Sequence, residues 1–381
     1  MRVAFYAPLK PPDHPVPSGD RRMARMLWRA IADAGHEPML AARFRSRART
    51  DNPVRQARIA AVGSKLADRY ISRVTRHPQR RPDLWFTYHL YYKAPDWIGP
   101  RVATRLAVPY VVAEASLARK RREGPWHLGH QATVDAIARA AGIIGLNPAD
   151  REGVMEAIAS PDRWLPLKPF IDRAPYLAAQ AARETTRREL AERWRLDPAI
   201  PWLIALAMMR EDVKLDSYRL LGSALSLCKE KPFELMVVGD GPARTEVERA
   251  LAPLGARVRY LGAMPENAVP PVLAAADLCV WPAIGEAYGF ALLEAQAAGV
   301  PVVAGRAGGV ADIVADGGTG VLTPERDGGA FAGAVAALLD DRARRESLGR
   351  AAVERVAAEH DLGAASRRLD EILRAVTAPA P

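Results

Sequence analysis

The amino-acid sequence predicts an α/β protein of two domains, each built on a doubly wound parallel sheet. Short apolar runs alternate with stretches of helical periodicity through both halves of the chain, the order that strand, helix, strand units produce. Residues 173–199 are polar and helical and hold no strand, so they read as the connection between the halves. At 381 residues the chain is also long for a single core.

The first half opens on the strand RVAFYAP (2–8), followed by the proline-rich loop PLKPPDHPVPSGD and a helix from about Arg21 to Ala34 that Gly35 ends. EPMLAAR is the next strand, and strand, glycine-bearing loop, helix, strand is the opening of a Rossmann-like unit. Residues 43–81 carry twelve basic residues and two acids. Within them Ile59, Val62, Leu66, Ile71 and Val74 recur at helical spacing, which predicts a basic amphipathic helix over about residues 54–74. That helix suits peripheral attraction to anionic lipid or to an acidic acceptor; it is equally the pattern of an ordinary helix with a solvated arginine face.

The strand LWFTYH (84–89) ends on His89, and Lys93, Asp96 and Trp97 follow as candidates for lining an acceptor site. PYVVAEA (109–115) brings Glu114 to another strand end, a second candidate acceptor contact, because open α/β sheets bind ligands outside the carboxyl ends of their strands. A helix to Ala141, the strand GIIGLN, a helix from Asp150 and WLPLKPFID complete the half.

The second half restarts with the strand PWLIALAM (201–208), a loop MREDVK holding Arg210 and Lys214, and a helix from Asp216. ELMVVGD, a helix, VRYLGA and a further helix follow. VVGDGP contains Gly239 and Gly241, but Arg244 stands where the third glycine of a dinucleotide fingerprint belongs. After Gly309 come a last strand within DIVADGGTGVLTP, the helix GGAFAGAVAALLDD and an arginine-rich helical tail.

Composition narrows the function classes. The chain is 49% hydrophobic and 26% charged, with no low-complexity tract, no run of roughly 20 apolar residues that would span a membrane, and no signal-peptide build in MRVAFYAP. A cytoplasmic location, with peripheral contact to the inner face of a membrane through residues 43–81, is the expectation. Cys228 and Cys279 sit in apolar patterns and read as reduced core residues. No His/Cys cluster has metal-ligand spacing and no Asp-x-Asp pair occurs, so neither a metal nor a cofactor is expected. Residues 1–172 hold 29 Lys and Arg against 16 Asp and Glu, and the remainder 25 against 28, so the net +10 divides as +13 and −3. The basic excess belongs to the first half, and no nucleic-acid partner is expected.

The most informative stretch is 281–309, WPAIGEAYGFALLEAQAAGVPVVAGRAGG. An apolar strand gives way to a glycine-bearing turn and a helix, an arrangement that aims backbone N–H groups and a positive helix end at one spot suited to phosphate. Glu286 precedes the helix and Glu294 lies one to two turns inside it. Carboxylates beside a phosphate site pair best with hydroxyls, so a sugar at one end and a ribose at the other, joined by phosphates, describes a nucleotide-sugar.

The segment EAYGFALLE, with PVVAGRAGGV after it, resembles the E-x7-E signature of the retaining GT-B glycosyltransferases of family 4. The resemblance is dense over about residues 200–325; in the first half it is confined to the fold pattern, Gly19 and His89. It implies that Glu286 holds the hydroxyls of the donor sugar, that Glu294 holds the ribose, and that Gly289, Phe290 and Ala291 lend N–H groups to sugar and phosphate. It further implies that Arg210 and Lys214 neutralise the departing diphosphate, although the family usually spaces that pair five apart rather than four. Gly19 then lies near the donor phosphates, Gly239 at the donor site, Met264 in the loop that holds the base, and His89 near the reacting centre. The implied architecture is GT-B, two Rossmann-like domains across a cleft, 1–172 for the acceptor and 173–361 for the donor, with the helix of 362–381 packing back on the first. The implied reaction is metal-independent transfer of a hexose, with retention, from a nucleotide-diphosphate sugar to a hydroxyl of a glycan, lipid-linked or small-molecule acceptor, as in cell-envelope polysaccharide synthesis. Rivals are a nucleotide-sugar epimerase or phosphorolytic enzyme of the same fold, a non-catalytic nucleotide-sugar-binding protein, and an NAD-dependent oxidoreductase, the last disfavoured by the missing glycine.

Overall fold

A computed structural model describes residues 1–16, 18–286 and 288–378. The chain divides into two compact units, Met1–Lys168 with Leu362–Pro381, and Pro169–Asp361. Residues 379–381 of the expected closing helix lie outside the described residues.

In the first unit the elements run β1 (Arg2–Tyr6), α1 (Gly19–Asp33), β2 (Glu37–Ala42), α2 (Pro53–Arg76), β3 (Leu84–Leu90), α3 (Gly99–Leu106), β4 (Tyr110–Ala115), α4 (His127–Arg139), β5 (Gly142–Gly145), α5 (Arg151–Met155) and β6 (Trp164–Pro166). Among the described residues they form a six-stranded sheet of order β2-β1-β3-β4-β5-β6, with every pairing parallel. Such a sheet must be covered on both faces, and its central strands β1, β3 and β4 are accordingly almost wholly buried.

The second unit runs α6 (Ala174–Ala181), α7 (Arg183–Trp194), β7 (Trp202–Leu206), α8 (Val213–Ser226), β8 (Glu234–Val238), α9 (Arg244–Leu251), β9 (Val258–Gly262), α10 (Val269–Ala275), β10 (Leu278–Trp281), α11 (Phe290–Ala297), β11 (Val302–Gly305), α12 (Val310–Ile313), β12 (Gly320–Thr323), α13 (Gly328–Asp340) and α14 (Arg342–Glu359). Its sheet is again six-stranded and parallel, of order β12-β11-β10-β7-β8-β9. α15 (Leu362–Thr377) then returns to the first unit and packs on α1, where Asp370 meets His36 Nε2 at 3.0 Å.

Two segments differ from what the sequence predicts. Residues 173–199 are more than a connection: α6 and α7 pack on α10 and bury Tyr176, Ala179 and Leu190 in the second core. Helix α8 begins at Val213, three residues before the expected Asp216, because Asp212 accepts the Lys214 backbone N–H at 2.9 Å and caps the helix earlier. Lys214 therefore stands on the first turn of a helix and not in a loop.

In both sheets strand order reverses beside the first strand of the unit. β1 is followed by β2 on one side and β3 on the other, and β7 is followed by β8 on one side and β10 on the other. Connections leaving adjacent strands in opposite directions open a crevice above their carboxyl ends, where α/β sheets take ligands.

Candidate active site

The second unit brings Lys214 and Glu286 together at its reversal point. Lys214 follows β7 and Glu286 follows β10, and the ammonium is ion-paired with the carboxylate Oε2. Each side chain is 16% exposed, so the pair is reachable yet poorly screened. Trp281 backs it, with the indole N–H 3.4 Å from Glu286 Oε2 and the ring 5.5 Å from Lys214 Nζ.

The loop carrying Glu286 is fastened to α8 before it turns into α11. Ile284 N–H donates to Ser217 Oγ at 3.0 Å, and Gly285 N–H to Glu325 Oε1 at 3.0 Å. Gly289 then takes a left-handed conformation (φ 70°), and a Cβ there would stand 2.9 Å from Leu292 Cδ1. Only glycine turns the chain at that point without strain. No side chain of the described residues caps α11, so the amides of Phe290 and Ala291 open the helix toward the loop.

The remaining candidates of this unit are distributed more widely. Arg210 is half exposed and pairs with Asp212 at 3.1 Å, not with Glu286. Gly239 lets the β8 loop lie on the β7 loop, since a Cβ would stand 1.9 Å from the Ala207 carbonyl oxygen. Met209 N–H donates to the Asp240 carbonyl at 3.0 Å, which holds the Arg210 loop in place from behind. Met264, after β9, packs part-buried against the core. Glu294 is buried and accepts from Tyr176 Oη at 2.6 Å. Burial and the Glu294 charge push the Cys279 thiol up to about 12, so that cysteine stays a neutral core residue.

In the first unit the reversal point joins α1, after β1, to the end of β3. His89 Nδ1 lies 3.2 Å from Asp20 Oδ1 and 3.8 Å from Glu114 Oε1. His89 (φ 64°) and Glu114 (φ 60°) both hold left-handed backbone, which for residues with a Cβ is strained and turns their side chains out of the strand pleat. Burial alone would depress the imidazole, but Glu114, Asp20 and Asp150 outweigh it and raise His89 above its ordinary value. Burial lifts Glu114 and Asp150 as well. Asp20 is lowered: burial opposes that, and the hydrogen bond and charge of His89 overcome it. The result is a histidine at a strand end whose charged form three carboxylates favour. Gly19 begins α1 beside this cluster, with Ser18 capping the helix by accepting the Arg21 N–H.

The aligned trio Lys93, Asp96 and Trp97 does not form one surface. Asp96 is buried and accepts from Ile98 N–H, Gly99 N–H, Thr87 Oγ1 and Tyr110 Oη, so it is a structural cap for α3 and not an acceptor contact. Lys93 extends over the rings of Tyr92 and Trp126, at 5.7 and 5.5 Å. Trp97 packs against Gly63 of α2. Helix α2 shows solvent Arg58, Lys65, Arg69 and Arg76 with exposed Val54 and Val62, while its one acid, Asp68, is paired with Arg101 at 2.7 Å.

Sequence reasoning missed Asp20, Asp150, Trp281 and Tyr176. Asp20 had a signal, since it follows Gly19 on the first turn of a helix leaving the first strand; Tyr176 lies 118 positions from its partner and had none.

The family model for glycosyl transferases group 1 matches residues 201–341, the span holding Lys214, Glu286 and Glu294. A D-inositol 3-phosphate glycosyltransferase of Kribbella flavida is 30% identical over 301 residues, covering 72% of this chain and 68% of the relative. The chain belongs to the glycosyl transferases group 1 family. An alpha-D-kanosaminyltransferase of Streptomyces kanamyceticus is 29% identical over 248 residues, 63% of this chain and 62% of that protein. Other relatives are spanned for less than half their length. HepE of Anabaena, solved in complex with UDP, superposes with a TM-score of 0.73 at 16% identity, over 98% of this chain and 100% of its own. That likeness shows the fold, GT-B. Among the described residues no group of three or more His, Cys, Asp or Glu is arranged to hold a metal ion.

Proposed function

We propose that the protein is a glycosyltransferase that moves a hexose, with retention, from a nucleotide-diphosphate sugar to a hydroxyl of a glycan, lipid-linked or small-molecule acceptor. The observation that carries this is the Lys214–Glu286 pair at the reversal point of the second sheet, backed by Trp281 and followed by the open amides of α11. An ammonium, two amides and a carboxylate converge there, and they complement a phosphate next to a sugar hydroxyl. Kinship with named glycosyltransferases and a fold neighbour solved with UDP support the same class of donor.

Glu286 orients the donor sugar through its hydroxyls, and Glu294, already holding the Tyr176 hydroxyl, takes the ribose. Lys214 and Arg210 receive the negative charge that grows on the diphosphate as the C1–O bond breaks, an interaction strongest in the transition state. The acceptor hydroxyl bonds to C1 from the face the diphosphate leaves, and its proton passes to the departing phosphate oxygen. These cations and amides carry the charge, with no metal called for. His89, which Glu114 and Asp20 hold above its ordinary value against burial, is the first unit's candidate for a hydrogen bond to the sugar. Peripheral contact of α2 with an anionic membrane surface would bring the enzyme to a lipid-linked acceptor. The same site would serve a cytoplasmic enzyme of cell-envelope synthesis.

A melting-temperature panel of UDP-, GDP- and ADP-sugars tests the donor class. One of them at 100 times its dissociation constant should stabilise the protein by about 2.7 kcal/mol, and the gain should vanish in Glu286→Ala. No shift with any member, or an equal shift in the variant, would overturn the assignment.

A further inference from the structure

A cavity of about 630 Å³ lies at the other end of the second sheet, where β7, β10 and β11 begin, lined by Pro201, Asp277 and Pro301 together with arginines of α7 and α14. Its chemistry is unbalanced. Asp277 accepts from Arg183 Nη2 at 2.7 Å, from Arg187 Nη1 at 3.0 Å and from the Trp202 N–H at 2.8 Å, so its carboxylate is saturated. Arg345, 8% exposed, donates through Nη1 to the carbonyls of Leu338 and Leu339, both neutral. Among the described residues no carboxylate is within ion-pair distance of Arg345 or Arg350. Arg342 and Glu346 form a pair at 2.7 Å on the rim. Counting the lining, five arginines (183, 187, 342, 345, 350) face three acids (Glu184, Asp277, Glu346).

Burying a guanidinium without a paired carboxylate, as at Arg345, is costly unless an anion completes the set, and the exposed arginines on the rim add positive charge around it. Guanidinium forks suit phosphate oxygens bidentately. Burial depresses the Arg345 guanidinium, the mark of a cation taken out of water without full compensation. We propose that this cavity binds a phosphate-bearing small molecule, at a site separate from the donor site. Its volume admits a hexose phosphate or a nucleotide.

The test uses the full chain and three probes: inorganic phosphate, pyrophosphate and a hexose monophosphate, read by calorimetry and by melting temperature. Arg342→Glu/Arg350→Glu reverses two exposed charges and leaves the core intact, while Arg345→Met removes the buried one. Measured in the Lys214→Met background, which takes the donor site out of the titration, each should weaken phosphate or pyrophosphate binding by about tenfold or more. A preference for the hexose phosphate over both inorganic anions would extend the ligand to a sugar ester; equal binding would limit it to the anion. Binding that survives the arginine changes, or disappears with Lys214→Met, overturns the proposal. The double reversal keeps the test decisive should Arg345→Met melt before it can be titrated.

Discussion

Removing the Lys214 ammonium is the most direct test of the chemistry. In Lys214→Met the alkyl stem still covers Trp281, but Glu286 keeps only the indole N–H at 3.4 Å. A cation about 4 Å from the charge growing on the leaving phosphate is worth roughly 4 kcal/mol at an effective dielectric near 20, which corresponds to about 10³ in rate. The ground state loses less: one charge-assisted hydrogen bond, about 1.5–3 kcal/mol of stability. Single-turnover transfer from the donor that stabilises the wild type, with melting monitored in parallel, separates the two. The expected result is a fall in kcat of about 10²–10³ with a folded protein. A variant that melts as predicted but transfers within about threefold of wild type would refute the role given to Lys214.

Arg210→Met should cost about tenfold at most, because that side chain is half exposed and already paired with Asp212, where solvent screens it; a loss equal to that of Lys214→Met would make it a full partner. Tyr176→Phe strips a hydrogen bond from the buried Glu294 and should lower stability by about 1–3 kcal/mol and raise the donor KM, checked by urea unfolding and steady-state kinetics. His89 has a folded-state pKa above its ordinary value of 6.5, so the stability it contributes is complete below that value and is lost as pH rises through the higher folded value. His89→Gln should flatten that decline in unfolding free energy above pH 6.5, whereas an unchanged slope would assign the titration elsewhere. Gly239→Ala should destabilise by about 1–3 kcal/mol, since the new methyl meets the Ala207 carbonyl, and unaltered melting would contradict the backbone packing described.

Much of this fold is legible in the amino-acid sequence. The parallel alternation, its restart at residue 201, and the turn from β10 through Gly289 into α11 all follow from patterns of apolar residues and glycine within short windows. The position of Glu286 is legible for that reason, because strand, glycine and helix fix which end of the sheet it occupies. The departures come from specific contacts, local or distant, that apolar periodicity does not encode. Asp96 reads as a polar residue after a strand, yet four donors 2 to 14 positions away saturate it, and only the folded core brings Thr87 and Tyr110 to it. Lys214 reads as a loop residue from periodicity alone, but a single capping carboxylate, Asp212, moves the helix start earlier by three residues. Tyr176 and Asp277 gained their importance from partners far along the chain, which periodicity does not encode.

Helix α15 carries a consequence for biosynthesis. Its buried Leu369, Ile372 and Leu373 and the Asp370–His36 contact belong to the unit that begins with β1. On the ribosome, everything from Pro169 to Asp361 must emerge before those side chains can cover α1. The second unit is thus able to finish its core while the first waits with an uncovered apolar face, and a nascent chain halted near residue 361 should recruit chaperones through α1.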